Sequence, residues 1–167
     1  MNWNLTPLFK TQEDFKAAFD EVSSYIPRLA SFKGKLNEER SFIEYLLLSD
    51  EVEVLGGRVY QYCSLKSDLN KKNIENAAEL SKVFALFNQL GIATSFEGPE
   101  LISIGEETIL GFIDKHPEVS HFRFSMEKLF RSQEHVLDSA SERLLSYFSP
   151  VSRGGSSLYT ALSTADK

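Results

Sequence analysis

Apolar residues recur at three- and four-residue steps along nearly the whole chain, the spacing that builds one apolar face on a helix. Phe15, Ala18, Phe19, Val22, Ile26 and Leu29 form the first such face, behind Thr11, whose hydroxyl can cap a helix start. Pro27 removes a backbone donor and predicts a kink or an early end, and Gly34 is a stop signal. Asn37 is placed to cap a second helix carrying Phe42, Ile43, Leu46 and Leu47, continued by Leu55, Val59, Tyr62 and Cys63. Gly56 and Gly57 interrupt it, each costing about 1 kcal/mol relative to Ala in a helix interior, which predicts a bend or a split. After a turn over 68–73, Ala77, Leu80, Phe84, Phe87 and Gly91 share a third face.

Gly98-Pro99-Glu100 reads as a restart, with Pro suited to a first helical position and Glu100 placed where the helix dipole favours negative charge. Ile109, Leu110 and Ile113 then give a short helix closed by His116-Pro117, and Phe122, Met126, Leu129 and Phe130 the next. Ser139 and Glu142 have capping-box spacing ahead of Leu144, Leu145 and Phe148, with Pro150 as breaker. Leu158, Ala161 and Leu162 suggest a last helix after Gly154-Gly155. Alternation of period two is absent beyond Val52-Glu53-Val54, too short for a strand. The expected fold is all-α, antiparallel helical hairpins or a bundle, forming one domain over 1–167.

Composition narrows the function. With 42% hydrophobic and 25% charged residues, the chain has the makeup of a globular domain rather than a disordered one. A net charge of −6 argues against nucleic acid as a partner, because phosphate binding needs a basic face. Lys66, Lys71 and Lys72 sit beside Asp68 and Glu75 and read as a solvated loop. No apolar run approaches the roughly 20 residues that span a bilayer, and residues 1–10 lack the basic start and apolar stretch of a secretory signal. Cys63 is the sole cysteine, so no internal disulfide forms, and the cytoplasm is the expected location.

Candidate chemistry is sparse. His116, His121 and His135 are never four residues apart, so the two-His zinc helix is missing, and Glu134-His135 has the motif's order reversed. Asp68-Leu69-Asn70 opens like a calcium loop, but Asn73 stands where that loop needs Gly and Lys72 where it needs a ligand. Cys63 follows Tyr62 on an apolar face and reads as a small core residue. Gly154-Gly155-Ser156-Ser157 has neither the Lys nor the preceding strand of a phosphate loop. One polar constellation remains: Arg131, His135 and Glu142. An Arg131–Glu142 contact would clasp the corner between two helices, and the same residues could instead face a ligand cleft.

The stretch Arg131-Ser-Gln-Glu-His135-Val-Leu137 through Glu142-Arg-Leu144-Leu145 resembles the Arg-x-x-x-His-x-Leu…Glu-x-Leu-Leu segment of oligoendopeptidase F-type zinc metallopeptidases. Other pieces fit in order: Trp3-Asn4-Leu5-Thr6 with Leu8-Phe9, Gly34-Lys35-Leu36, Val59-Tyr60-Gln61-Tyr62, Ser95-Phe96-Glu97-Gly98-Pro99-Glu100-Leu101, and Leu162 to Asp166. The chain departs from the family pattern at Cys63, Gln133 and Asp138. The resemblance implies the amino-terminal helical lobe of a longer peptidase that cleaves oligopeptides in a deep channel. It places zinc and all catalytic residues in a carboxy-terminal domain this chain lacks, leaving no catalytic, cofactor or metal residue here. An isolated lobe of this kind would expose an apolar face and could form a homodimer. The competing expectation is a stand-alone helical module that binds a partner peptide in a groove.

Overall fold

The computed structural model describes residues 3–133 and 137–152, with side chains up to residue 148. Among the described residues seven α-helices follow one another: α1 (Gln12–Ala30), α2 (Glu39–Leu69), α3 (Ile74–Thr94), α4 (Glu97–Ile104), α5 (Glu106–Asp114), α6 (Arg123–Arg131) and α7 (Ser139–Ser152), with a 3-10 helix (Pro117–Phe122) between α5 and α6. No strand occurs among the described residues.

α1 starts on a capping box: the Asp14 N–H donates to Thr11 Oγ1 at 3.1 Å and the Thr11 N–H donates to the Asp14 carboxylate at 3.1 Å. Pro27 does not end the helix, which runs three residues further to Ala30. Gly34, with φ of 77°, makes the turn beyond it, a backbone region that glycine enters without steric cost. α2 is one helix of 31 residues, and Gly56-Gly57 does not divide it. The cause is α3. A Cβ on Gly56 would lie 3.1 Å from the Phe87 ring, so the glycine allows the two helices to close up. Asn37 does not cap α2; Glu38 occupies that position, and its carboxylate accepts from the Ser41 hydroxyl at 3.1 Å rather than from a free helix N–H. Asn73 caps α3 by accepting from the Glu75 and Asn76 N–H groups at 2.8 and 3.1 Å. α4 begins at Glu97, two residues before Pro99. α7 runs through Pro150 to Ser152, because a donor missing from a last turn costs a single bond. The expected helix over 158–162 lies outside the described residues.

Aromatic contacts fix the helix directions. Phe15 near the start of α1 stacks on Tyr62 near the end of α2, at 5.0 Å between centroids, while Phe32 beyond the end of α1 meets Tyr45 near the start of α2 at 5.7 Å. Tyr60 meets Phe84 at 5.9 Å and Phe87 at 6.3 Å across α2 and α3. Gly56 lies against Phe87 while Lys66, further along α2, bonds Glu79, earlier in α3, so both neighbouring pairs are antiparallel. α3 also touches α1 and α7. Its buried residues are consequently Val83, Leu86 and Leu90, rotated from the expected face, with Leu80 and Phe87 half-buried and Ala77 and Gly91 exposed. Phe42, Leu36, Val59, Leu101 and Ile109 lie wholly inside, so one core runs from α1 through α5.

Candidate functional site

The 95–101 turn carries two acids, and both are committed to holding the fold. Glu100 lies in the first turn of α4. One of its carboxylate oxygens accepts from the Gly34 N–H at 2.7 Å and the other from the Leu36 N–H at 2.9 Å. Those amides have no helix to satisfy them, and a carboxylate is the strongest acceptor available to them. Glu97, three residues earlier, accepts from the Tyr45 hydroxyl at 2.8 Å. Burial pushes the Glu97 carboxyl above the usual range, with the Tyr45 bond pulling it back, and burial also raises the Tyr45 phenol. Sequence inspection credits Glu100 with a dipole role alone and misses Glu97. The available signal was the three-residue spacing, which puts both acids on one side of a helix start.

A second polar tie joins α1, α2 and α3. Lys66 Nζ donates to Gln12 Oε1 at 3.0 Å and to Glu79 at 2.8 Å, and Gln12 also donates to Glu79. A third tie is on the surface. Glu39 accepts from Lys115 at 2.7 Å and pairs with His116 at 3.1 Å, while the other ring nitrogen of His116 lies 3.1 Å from Glu118. Glu118 and then Glu39 raise the imidazole's affinity for a proton.

The constellation expected from the sequence is only partly assembled. Arg131 ends α6, is exposed, and lines a shallow depression with Glu106, Glu127 and Phe130. Glu142 does not pair with it. The Glu142 carboxylate instead accepts from the Leu137 N–H at 3.1 Å. The α7 cap is Asp138 rather than Ser139: it accepts from the Ala140 and Ser141 N–H groups at 3.0 and 3.1 Å and from the Ser141 hydroxyl at 2.8 Å. Those bonds, the Ser141 hydroxyl first, hold its carboxyl below the usual range. Glu142 thus reaches back past the cap to the residue before it, and the corner is fixed without Arg131. His135 lies outside the described residues.

Among the described residues the histidines pair with carboxylates, His116 with Glu39 and Glu118 and His121 with Asp50. The Cys63 thiol is buried and pushed up to about 12 by that burial, so its reactive thiolate form is suppressed. No group of three or more His, Cys, Asp or Glu among the described residues could hold a metal ion. No described helix is long and apolar enough to cross a membrane.

Two of the family-like sequence pieces meet in space: Glu100 of Ser95–Leu101 grips the backbone of Gly34-Lys35-Leu36. Two more meet where Phe9 packs edge-on against Tyr62 at 5.5 Å. Comparison with known proteins agrees. A family model described as Oligopeptidase F matches residues 100–167. The chain is 30% identical over 165 residues to oligopeptidase PepF of Bacillus subtilis, covering 98% of this chain. The likeness throughout is to the oligoendopeptidase F family. It is also 26% identical over 165 residues to the group B oligopeptidase PepB of Streptococcus agalactiae. Its fold superposes on the oligoendopeptidase F of Enterococcus faecium with a TM-score of 0.83 over 94% of this chain, at 22% identity. A putative peptidase of Chlamydophila abortus gives 0.69 over 96%, at 27% identity. In each case the match occupies a minor part of the relative: 25% of PepF, 28% of PepB, 31% of the Enterococcus chain and 27% of the Chlamydophila chain. The all-helical architecture is that of the family's amino-terminal lobe.

Proposed function

We propose that this chain serves as the non-catalytic helical lobe of an oligoendopeptidase F-like zinc metalloendopeptidase, walling a channel that admits short peptides and excludes folded proteins. The observation that carries this reading is the continuous match to PepF, which takes in 98% of this chain and 25% of that protein. The internal chemistry supports it: Glu97, Glu100, Glu79 and Glu142 are spent on phenol, amide and ammonium partners inside the lobe. Zinc, which polarises a scissile carbonyl and activates water in such enzymes, belongs to residues beyond this chain. The partners are the catalytic domain and, through it, oligopeptides. The single, buried cysteine supports a cytoplasmic setting.

A fusion tests the reading. The chain replaces the matched quarter of PepF, and hydrolysis of a quenched fluorescent peptide is followed with and without a zinc chelator. Chelator-sensitive hydrolysis within about tenfold of PepF is expected, a difference of about 1.4 kcal/mol in barrier. A fusion that folds but is inert, beside a 167-residue chain that is a stable monomer, would favour the stand-alone module.

A further inference from the structure

Helix α7 lies on α3 and touches α4, yet it turns its polar side inward. Glu142 and Ser146, one helical turn apart, are half-buried, and the Ser146 hydroxyl is satisfied by the Glu142 carbonyl at 2.9 Å. On the opposite side Leu144, Leu145 and Phe148 are 58%, 55% and 57% exposed. The spacing i, i+1, i+4 gathers them into one ridge. No charge falls on it: Arg143 lies on another side, over the Tyr147 ring at 6.0 Å. A helix whose leucines and phenylalanine face outward while Ser146 faces inward is built for cover from a second direction.

The family match locates that cover. It runs over residues 100–167 and so includes α7, which makes the ridge part of the family's shared segment. The relatives are three to four times as long as the matched region, since it fills 25% of PepF and 31% of the Enterococcus chain. Three half-exposed side chains offer far less than the roughly 800 Å² per partner that a stable interface between free proteins needs. They are sufficient for a contact inside one polypeptide, where the tether supplies a high effective concentration.

We propose that the Leu144–Leu145–Phe148 ridge is the seat of the remaining part of an oligoendopeptidase F-type polypeptide, which presents an uncharged apolar face to it and locks the lobe in place. This rests on the functional reading above. The test uses the triple variant Leu144→Gln, Leu145→Gln, Phe148→Gln, which keeps good helix formers in α7, both in the 167-residue chain and in the PepF fusion. The denaturation midpoint of the 167-residue chain should stay unchanged. In the fusion, the single thermal transition should split in two and peptide hydrolysis should fall about tenfold or more, as loss of central interface side chains does. A variant fusion as active and as cooperative as the parent would overturn the proposal. So would a lowered midpoint in the 167-residue chain, which would mean the chain covers its own ridge. A 167-residue dimer that the variant dissociates, with the fusion unaffected, would give the seat to a second copy and overturn it as well. An unsubstituted fusion that never hydrolyses peptide is the distinct failure of the functional reading and takes the proposal with it.

Discussion

The core of α1 to α3 and the helix α7 treat the same residue types in opposite ways. In the core, Phe42, Leu46 and Tyr45 are at most 1% exposed, each walled in by a neighbouring helix or turn. In α7, Leu144, Leu145 and Phe148 stay more than half exposed, while the helix is held at its start by Asp138 and Glu142. An apolar stripe therefore says which side of a helix needs cover and nothing about what provides it. The core finds its cover within its own sequence, through short connections and antiparallel neighbours. For the ridge of α7 none of the described residues provides it.

Removing one aromatic ring from each region separates the two most strongly. Phe42→Ala should cost about 3–5 kcal/mol, through lost burial and the cavity left behind. Phe148→Ala in the same 167-residue chain should cost under about 0.5 kcal/mol, since nothing described encloses that ring. Chemical denaturation of the two variants reads the difference directly. Equal losses would mean that α7 belongs to the same core.

Polar anchors sharpen the contrast at a smaller scale. Glu100→Ala leaves two amides of the α1–α2 connection without their acceptor and should cost about 2 kcal/mol. Glu142→Ala removes one bond to one amide at a more exposed corner and should cost under about 1 kcal/mol. A Glu142 effect as large as that of Glu100 would show the corner to be as firmly clasped as the core turn, with a partner other than the Leu137 amide.

Helix identity was legible in the sequence because spacing and caps are local. The Thr11 cap and the apolar steps of α1 and α2 act within a few residues. Several errors arose where a distant element decides. Gly56-Gly57 reads as a break until Phe87 is seen lying against Gly56. The face of α3 was misjudged because three helices touch it. Arg131 and Glu142 are close enough in sequence to suggest a pair, but Asp138 takes the capping position and leaves Glu142 to the Leu137 amide. The spacing with Glu100 marks Glu97 as an acid at a helix start, but not its partner, since Tyr45 is 52 residues away.

That pair yields a pH dependence. The folded-state carboxyl of Glu97 is raised above its ordinary 4.5 by burial. A raised carboxyl contributes its stability fully below the unfolded value and loses it as pH climbs through the folded value. Tyr45→Phe removes the hydrogen bond that holds the value down, so it should cost about 1–2 kcal/mol near pH 7 and less near pH 4. Glu97→Gln should flatten the slope across that interval. Denaturation midpoints at both pH values, compared among the three proteins, check the sign. A Tyr45→Phe loss that grows toward acid would refute the assignment.

The smallest expected effect separates two residues that are identical and adjacent in sequence. Gly56 and Gly57 both sit inside α2, where glycine costs about 1 kcal/mol relative to alanine. A Cβ at Gly57 meets nothing within 4 Å. Gly57→Ala should therefore recover much of the propensity term and stabilise the chain by about 0.5–1 kcal/mol. At Gly56 the same methyl would lie 3.1 Å from Phe87 Cε1 and 3.3 Å from Cζ, atoms of a rigid ring rather than the end of a flexible chain. The propensity gain is then set against separation of α2 from α3, and Gly56→Ala should fall below Gly57→Ala by about 1 kcal/mol or more. Pairing each substitution with Phe87→Leu isolates the contact, since a shorter side chain makes room for the methyl. The Gly56 penalty should shrink in that background while the Gly57 gain stays the same. If both glycines respond alike in both backgrounds, α2 and α3 do not approach closely at this point, and the unbroken course of α2 needs another cause.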